Sequence, residues 1–191
     1  METLLNLLDS FGEIPNTSKQ KLASLVNSKK FKKKEIIAKA GEIPENVYIL
    51  KSGLVRSYFT DDKGKEYIRN FITKHRAAGA LGSLILNKPS RFSYDCLSDC
   101  EVYFLNFKAF KKLAKEDKSI AYLYASVLEQ IFLRLEAKVY DLSLLNGTER
   151  YLKLKKEIPD IENLTPLYHI ASYLNITAVQ LSRIRKEIYS K

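Results

Sequence analysis

The stretch of sequence that decides the C-terminal fold is residues 165–186, TPLYHIASYLNITAVQLSRIRK. Thr165 can cap a first helix that has Pro166 at its first position, where a missing N–H costs nothing. A turn then falls at residues 175–176, because Asn tolerates a left-handed backbone better than most residues. The segment therefore predicts two helices joined by a tight turn.

The second of these helices has one apolar and one polar face. Thr177 and Gln180, three residues apart, form a capping box that begins it, and Leu181, Ile184 and Ile188 form its inward stripe. Its first turn and outward face could contact phosphates and base edges with Thr177, Ala178, Val179, Gln180, Ser182, Arg183, Arg185 and Lys186. The pattern is typical of a DNA-reading helix-turn-helix. The alternative is an ordinary helical hairpin with a solvated polar face.

Composition favours an acidic partner such as nucleic acid. The formal charge is +10, from 32 Lys and Arg against 22 Asp and Glu. Residues 148–191 hold eight basic and five acidic side chains, a balance of +3, which leaves +7 in the first 147 residues. The densest basic run, residues 29–34, is interpreted as a strand edge kept soluble by lysines. The chain has no leader-like N-terminus and no apolar run of membrane-spanning length, so a cytoplasmic location is expected.

Cysteines and histidines are too few and too scattered to indicate a metal site. Cys96 and Cys100 form no Cys-x-x-Cys pair, and His75 and His169 lie far apart. We expect no cofactor and two reduced cysteines, half-buried in a strand. A cupin-like enzyme would need clustered His and carboxylate ligands, so no enzymatic activity is expected.

The first two thirds of the chain change from helical to strand patterns and back. Helices are predicted at residues 2–10 and about 18–27. Residues 31–107 then show short segments rich in Ile, Val, Tyr and Phe between turn signals, which predict a compact antiparallel β-roll. The clearest strands are residues 47–50, 54–59 and 67–71.

A long amphipathic helix follows the predicted roll, over about residues 119–145. A seam close to a heptad repeat, interrupted by Lys138, runs through Leu128, Ile131, Leu135, Leu142 and Leu145, and Val127, Leu133 and Val139 broaden it. One helix could therefore face both its own roll and a partner helix. A short helix at residues 149–157 precedes the helix-turn-helix. We interpret the chain as an α+β protein with a roll (1–117), a dimerisation helix (118–147) and a helix-turn-helix domain (148–191).

This order of elements resembles the cyclic-AMP receptor and fumarate–nitrate regulator (Crp/Fnr) family of bacterial transcription factors. Residues 40–56, AGEIPENVYILKSGLVR, resemble the start of that family's roll, and residues 61–66 its exposed hairpin. Residues 79–102 align with its phosphate-binding cassette. The resemblance implies a cyclic-nucleotide-binding-like jelly roll in a homodimer on a pseudo-palindromic site in double-stranded DNA. It also implies an unknown small-molecule effector and RNA polymerase as partners. No association with a membrane is expected.

The cassette departs from the cyclic-nucleotide-binding pattern. Ala80 stands where those relatives carry a Glu for the ribose, and Ser90 and Arg91 reverse the Arg-Ser pair that holds the phosphate. A one-residue swap in a strand sends the guanidinium to the opposite face, so the usual binding of cyclic AMP is not expected. Gly79, Ala80, Ser90 and Arg91 remain the candidate pocket for another anionic effector; the alternative is that Arg91 is a surface residue. Heme, with His75 as ligand, is a lesser alternative.

In the helix-turn-helix, Arg183 matches the family's base-reading Arg, which would pair with guanine. Ala178 and Val179 replace the family's other usual readers, an Arg and a Glu, so a different target sequence is expected. At such a site, these two residues would make apolar contacts to a thymine methyl, and Gln180 or Ser182 would donate to bases. Thr177, Arg185 and Lys186 would hold phosphates. Because the chain ends at Lys191, no β-wing is expected after the second helix. The alternative function is a ligand sensor whose helical tail contacts only proteins.

Overall fold

The computed structural model describes residues 13–190, so the predicted helix at residues 2–10 lies outside the described part. The first described helix, α1, is Asn16–Leu25 and ends earlier than expected from the sequence. It stops there because Val26 is extended and Asn27 already pairs with Phe104 in a sheet. No described helix combines the length and hydropathy that crossing a membrane requires.

The predicted antiparallel β-roll is confirmed as two four-stranded sheets, with strand orders β1-β8-β3-β6 and β2-β7-β4-β5. A short helix, α2 (Leu81–Leu86), interrupts the strands. The strands are β1 Asn27–Phe31, β2 Ile36–Ala38, β3 Asn46–Ser52, β4 Val55–Thr60, β5 Glu66–Ile72, β6 Ala77–Ala78, β7 Ser93–Cys96 and β8 Cys100–Asn106. The lysine-rich strand β1 is an edge strand, as the sequence predicted.

Apolar side chains of both sheets meet in the interior of the roll. Leu50, Val55 and Val102 have no exposed surface. Cys96 and Cys100 are free thiols and belong to this core. The expectation that they are half-buried was wrong, because the turn between β7 and β8 places both side chains inward, with 1% and 3% of their surface exposed.

Six helices follow the roll within the described residues. They are α3 Phe107–Glu116, α4 Lys118–Leu144, α5 Gly147–Glu157, α6 Ile161–Leu164, α7 Leu167–Tyr173 and α8 Ala178–Tyr189. Asp117 separates α3 from α4 and caps α4 by accepting from the N–H groups of Ser119 and Ile120. The hydroxyl of Ser18 and the amine of Lys21 also donate to this carboxylate and lower its pKa. The start of the long helix is thereby fixed to α1.

Helix α4 carries two apolar stripes, and the sequence alone could not say which one the roll covers. Leu128, Ile131 and Leu135 of the predicted seam line a cavity against the roll. The opposite stripe remains exposed and comprises Phe132, Leu133, Val139, Tyr140 and Leu144. Both stripes fit the helical period, so only the position of the roll distinguishes them.

The C-terminal helices pack directly on strand β5 of the roll. The N–H of Ile68 donates to the Ser172 hydroxyl at 2.9 Å, and the rings of Phe71 and Tyr173 have centroids 4.9 Å apart. One hydrophobic cluster continues from Leu54, Ile68, Phe71 and Leu97 of the roll into residues of α5 to α8, including Tyr151, Ile161, Ile170 and Leu181. The helix-turn-helix therefore has a defined orientation on the roll.

Gly53, in the turn between β3 and β4, tests the packing of this roll. Its φ is +91°, and an added Cβ would lie 2.6 Å from the Cys100 sulfur and still closer to the Asp99 carbonyl oxygen. We expect Gly53→Ala to lower the free energy of unfolding by about 1–2 kcal/mol from the left-handed backbone, plus ~1–3 kcal/mol from overpacking.

Gly64→Ala is the matched control for this substitution. Gly64 has φ +77° but nothing within 4 Å of an added Cβ, so only the backbone cost applies. Denaturant unfolding of the two variants measures the difference. Equal losses for both would contradict the packing at Gly53.

Candidate functional site

The first helix of the helix-turn-helix begins differently from the sequence-based expectation. Helix α7 has Pro166 as its N-cap, and no side chain among the described residues accepts from the N–H groups of its first turn. The Thr165 hydroxyl lies instead 3.1 Å from Nδ1 of His169. The prediction of a Thr165 cap was wrong because both side chains are buried and satisfy each other.

The turn and the start of the second helix agree with the sequence-based prediction. Asn175 has φ +53°, and the N–H of Ile176 donates to the Ala171 carbonyl at 3.0 Å. Helix α8 then opens with the expected capping box. The N–H of Gln180 donates to the Thr177 hydroxyl at 3.1 Å, and the N–H of Thr177 donates to Oε1 of Gln180 at 2.8 Å. The amide nitrogen of the Gln180 side chain stays free of this box.

Helix α8 is anchored on one face and open on the other. Leu181 is fully buried, and Ile184 and Ile188 pack partly buried against the same cluster. The first turn and outer face are exposed together, at Thr177, Ala178, Val179, Gln180, Ser182, Arg183 and Lys186. Val179 is 62% exposed, an unusual position for an apolar side chain. Arg183 and Lys186 have no ion pair within residues 13–190.

Arg185 is engaged inside the helical region, which sequence reasoning did not anticipate. Its Nε donates to Oε1 of Glu162 at 2.7 Å. Burial opposes ionisation of Glu162, but hydrogen bonds from Tyr151 and Arg185 outweigh it and lower its pKa. The half-buried Arg185 thus ties α8 to α6.

A buried ion network attaches the helix-turn-helix to the roll, and sequence reasoning missed it. Arg56, on β4, is only 8% exposed. Its guanidinium makes two hydrogen bonds to Asp95, at 2.7 and 2.9 Å, and one to Oε2 of Glu66 at 2.5 Å. Such bidentate, charge-assisted contacts are among the stronger polar interactions in proteins. The sequence signal is slight, since an Arg within a strand is usually solvated.

His169 of α7 completes this network from the helical side. Its Nε2 lies 2.9 Å from Oε2 of Glu66, and Arg56 Nη1 is about as close to both ring nitrogens. Neutral His169 satisfies these groups if Nε2–H donates to Glu66 and Nδ1 accepts from Thr165. Burial, and secondarily Arg56, lower the pKa of His169, which favours this neutral form.

The four residues predicted for the effector pocket do not form one site. Gly79 lines a cavity of about 300 Å³ between the roll and α4, and Ala80 is buried in the core. The Ser90 hydroxyl donates to the Phe92 carbonyl and accepts from the Phe92 N–H. Arg91 is exposed and does not line the cavity. Three other arginines line it instead, which the sequence did not indicate.

His75, the only candidate heme ligand in the roll, lies at the same cavity with φ +63°. Its N–H donates to the Leu50 carbonyl at 2.7 Å, which fixes the turn. Within the described residues, no cluster of three or more His, Cys, Asp or Glu side chains could hold a metal ion.

Comparison with known proteins agrees with this arrangement. Residues 28–117 match the family model of the cyclic nucleotide-binding domain. The cAMP-activated global transcriptional regulator Vfr of Pseudomonas aeruginosa is 26% identical over 133 residues, which cover 68% of this chain and 62% of Vfr. The match therefore spans less than two thirds of that relative's length.

Solved structures share the fold over nearly the whole chain. FixK2 from Bradyrhizobium japonicum superposes with a TM-score of 0.69 at 21% identity, covering 86% of this chain and 85% of that one. A protein from Eubacterium rectale assigned to the crp/fnr family of transcriptional regulators superposes with a TM-score of 0.73 at 14% identity, covering 97% and 88%.

The environment of His169 predicts a pH-dependent stability. We expect the free energy of unfolding to fall as the pH drops below about 6.5, the ordinary pKa of His. The unfolded chain binds a proton there, while burial and Arg56 keep the folded His169 neutral to lower pH. Denaturant unfolding between about pH 7.5 and 5.5 measures this loss.

His169→Gln keeps a donor for Glu66 and removes the titration, so its stability should change less with pH over this window. His75→Gln, at an exposed histidine, is the control and should keep the wild-type slope. If the unfolding free energy of His169→Gln depends on pH as steeply as that of the wild type, His169 is not the group responsible.

Proposed function

We propose that this chain, which belongs to the Crp/Fnr family of transcriptional regulators, binds a specific sequence in double-stranded DNA as a homodimer and does so without cyclic AMP. The observation that carries the proposal is the outer face of α8, exposed from its capped first turn onward. That face is held by a buried apolar stripe and belongs to a chain of formal charge +10. These are the requirements of a helix that enters the major groove.

Arg183 is the proposed base-reading side chain. It is exposed one turn into α8 and has no ion pair in the described residues, so its guanidinium can form a bidentate pair with guanine. Ala178 and Val179 would contact a thymine methyl, and the free amide nitrogen of Gln180 or the hydroxyl of Ser182 would donate to bases.

Phosphate contacts are assigned to Lys186 and Thr177. Arg185 could join them only by leaving Glu162, so we place it among the groups that hold α8 in position. Positively charged residues near the backbone fix the register of the helix on the duplex without reading its sequence.

The exposed stripe of α4 is the proposed dimer interface. Phe132 and Val139 are one heptad apart, as are Leu133 and Tyr140, and all four are more than half exposed. Pairing two copies through this stripe would cover apolar surface that is costly to leave in water. In a twofold dimer, the two α8 helices would enter successive major grooves roughly 34 Å apart.

The three parts of the chain then have separate roles. We assign residues 1–117 to sensing, 118–147 to dimerisation and 148–191 to DNA binding. Independence from cyclic AMP is supported by the cassette, in which Ala80 replaces the ribose ligand and exposed Arg91 lies outside the cavity. A nucleotide phosphate at the cassette position itself would lack its usual paired cation, because Arg91 lies outside the cavity.

Substitutions on α8 separate base reading from backbone binding. Arg183→Ala should cost about 1–3 kcal/mol on the specific site and relax the preference at one base pair. Lys186→Ala should weaken binding to specific and random duplexes to a similar extent, because it removes only a phosphate contact. Titrations of both duplexes at one fixed salt concentration measure this.

Arg91→Ala is the control, since it removes an exposed arginine of the roll and should leave both affinities nearly unchanged. If Arg183→Ala reduces binding to specific and random duplexes equally, the base-reading role is refuted.

Dimerisation is tested by one charge placed in the α4 stripe. Val139→Glu should raise the dimer dissociation constant by at least about 100-fold, because the carboxylate would be buried against an apolar partner. Leu152→Glu, at an exposed apolar position on α5, should leave the dimer intact. Sedimentation velocity over a concentration series distinguishes the two. A dimer that persists unchanged in Val139→Glu would exclude this interface.

A further inference from the structure

The cavity between the roll and α4 has mostly apolar walls. Its volume is about 300 Å³, which lies at the lower end of the range for small-molecule sites. Strands of the roll contribute Val47, Ile49 and Leu105, and α4 contributes Leu123, Val127, Leu128 and Ile131. An apolar body would therefore be favoured in its interior.

Positive charge surrounds the same cavity without compensation. Arg69 of β5, Arg76 of the loop before β6 and Arg134 of α4 line it, and no Asp or Glu among residues 13–190 does so. In the described part of the chain, Arg134 donates to Oε1 of Gln130 at 3.1 Å, and Arg69 lies over the Phe92 ring at 4.5 Å. Neither has a carboxylate partner there, in contrast to Arg56.

Lys138 adds a fourth cation one turn beyond Arg134 on α4. Its amine donates to the Arg69 carbonyl and to Oδ1 of Asn70, the latter at 3.2 Å. Burial, and then Arg69, lower the pKa of Lys138 to about 8, while partial desolvation at the mouth of the cavity and the charge of Arg76 lower the pKa of Arg134. Desolvation and mutual repulsion of these cations thus cost free energy, and a bound anion would offset that cost.

We propose that this cavity binds an organic anion with an acyl or aromatic body, and that Arg69, Arg76 and Arg134 hold its carboxylate or phosphate. The cations therefore come from β5, the following loop and α4, and Arg91 of the cassette takes no part. Arg69 and Arg134 are exposed, which places the ligand's charge where the cavity opens to solvent and its body inside. The binding site stands on this geometry alone; its role as an effector site rests on the proposed function.

Tyr173 connects this site to the DNA-reading helices. It belongs to α7, lines the cavity, and packs on Phe71 of β5. The Lys138 amine lies 4.4 Å from the centre of its ring. An anion near Arg69 would also attract Lys138, so ligand binding changes the contacts of α7 and with them the affinity for DNA.

Calorimetric titration of the full chain with a matched ten-carbon series tests the site. Decanoate and decyl phosphate should bind, decanol should bind at least about 10-fold more weakly, and decyltrimethylammonium should not bind. Comparison of the first two ligands shows whether the carboxylate or the phosphate is preferred. Cyclic AMP at equal concentration should not displace decanoate.

Two substitutions distinguish this site from a merely structural cluster. Arg76→Gln and Arg134→Gln should each weaken decanoate binding by about 10- to 100-fold. Each should also raise the thermal midpoint of the ligand-free protein, because repulsion between like charges is removed. Arg91→Gln, at the exposed cassette arginine, should change neither quantity.

Equal binding of decanol and decanoate would overturn the proposal, and so would unchanged decanoate binding in both variants. If cyclic AMP displaces decanoate and Arg91→Gln weakens decanoate binding, the ligand binds at the cassette, and the proposal is overturned as well. Duplex DNA binding is measured separately. Decanoate binding with the expected pattern, in a protein that does not bind DNA, would refute the proposed function and leave this site standing.

Discussion

The orientation of the helix-turn-helix on the roll depends on one buried cation, Arg56. Its guanidinium donates to Asp95 within one sheet and to Glu66 at the start of β5, and Glu66 in turn contacts Nε2 of His169 in α7. A buried charge costs several kcal/mol unless it is well paired, and removal of one partner of such a pair is strongly destabilising. The network therefore favours one placement of α7 on the roll. Two carboxylates face the single guanidinium, which leaves an excess negative charge. Because the Glu66 side chain is partly exposed, water can solvate part of that charge.

Strand β5 contacts both the helix-turn-helix and the proposed ligand cavity. Glu66 and Ile68 hold the helix-turn-helix through His169 and Ser172, while Arg69 lines the cavity and its carbonyl binds Lys138. The proposed ligand site at Arg69 and the proposed DNA-binding helix α8 are thus connected by one short, continuous set of contacts. The apolar core is also continuous between the roll and these helices, and close packing of that core opposes an independent shift of either part.

The sequence predicted best what short segments determine by themselves. The left-handed Asn175 and the Thr177–Gln180 capping box depend on a few adjacent residues, and both occur as expected. The roll followed from strand patterns and turn signals in the same way. The Thr165 cap failed because His169, buried by contact with the distant Arg56, binds that hydroxyl. Local propensity could not include a partner more than a hundred residues away.

The candidate site was predictable to the same extent. The exposed face of α8 follows from helical periodicity, but the pairing of Arg185 with Glu162 requires the position of α6. The cations of the cavity come from three separate elements, and the family resemblance directed attention to Arg91 instead. The sequence around each of those arginines is typical of an ordinary surface residue. Only the packing of α4 on the roll brings them together without a carboxylate from the described part of the chain.

The most direct test of this account is selection of bound duplexes from a random-sequence pool. A twofold dimer that presents two α8 helices should enrich pseudo-palindromic sites with half-site centres about 10 base pairs apart. Enrichment should be lost with Arg183→Ala at the base pair that this residue reads. A pool that stays random after repeated rounds, or that converges on a single unrepeated half-site, would contradict the account.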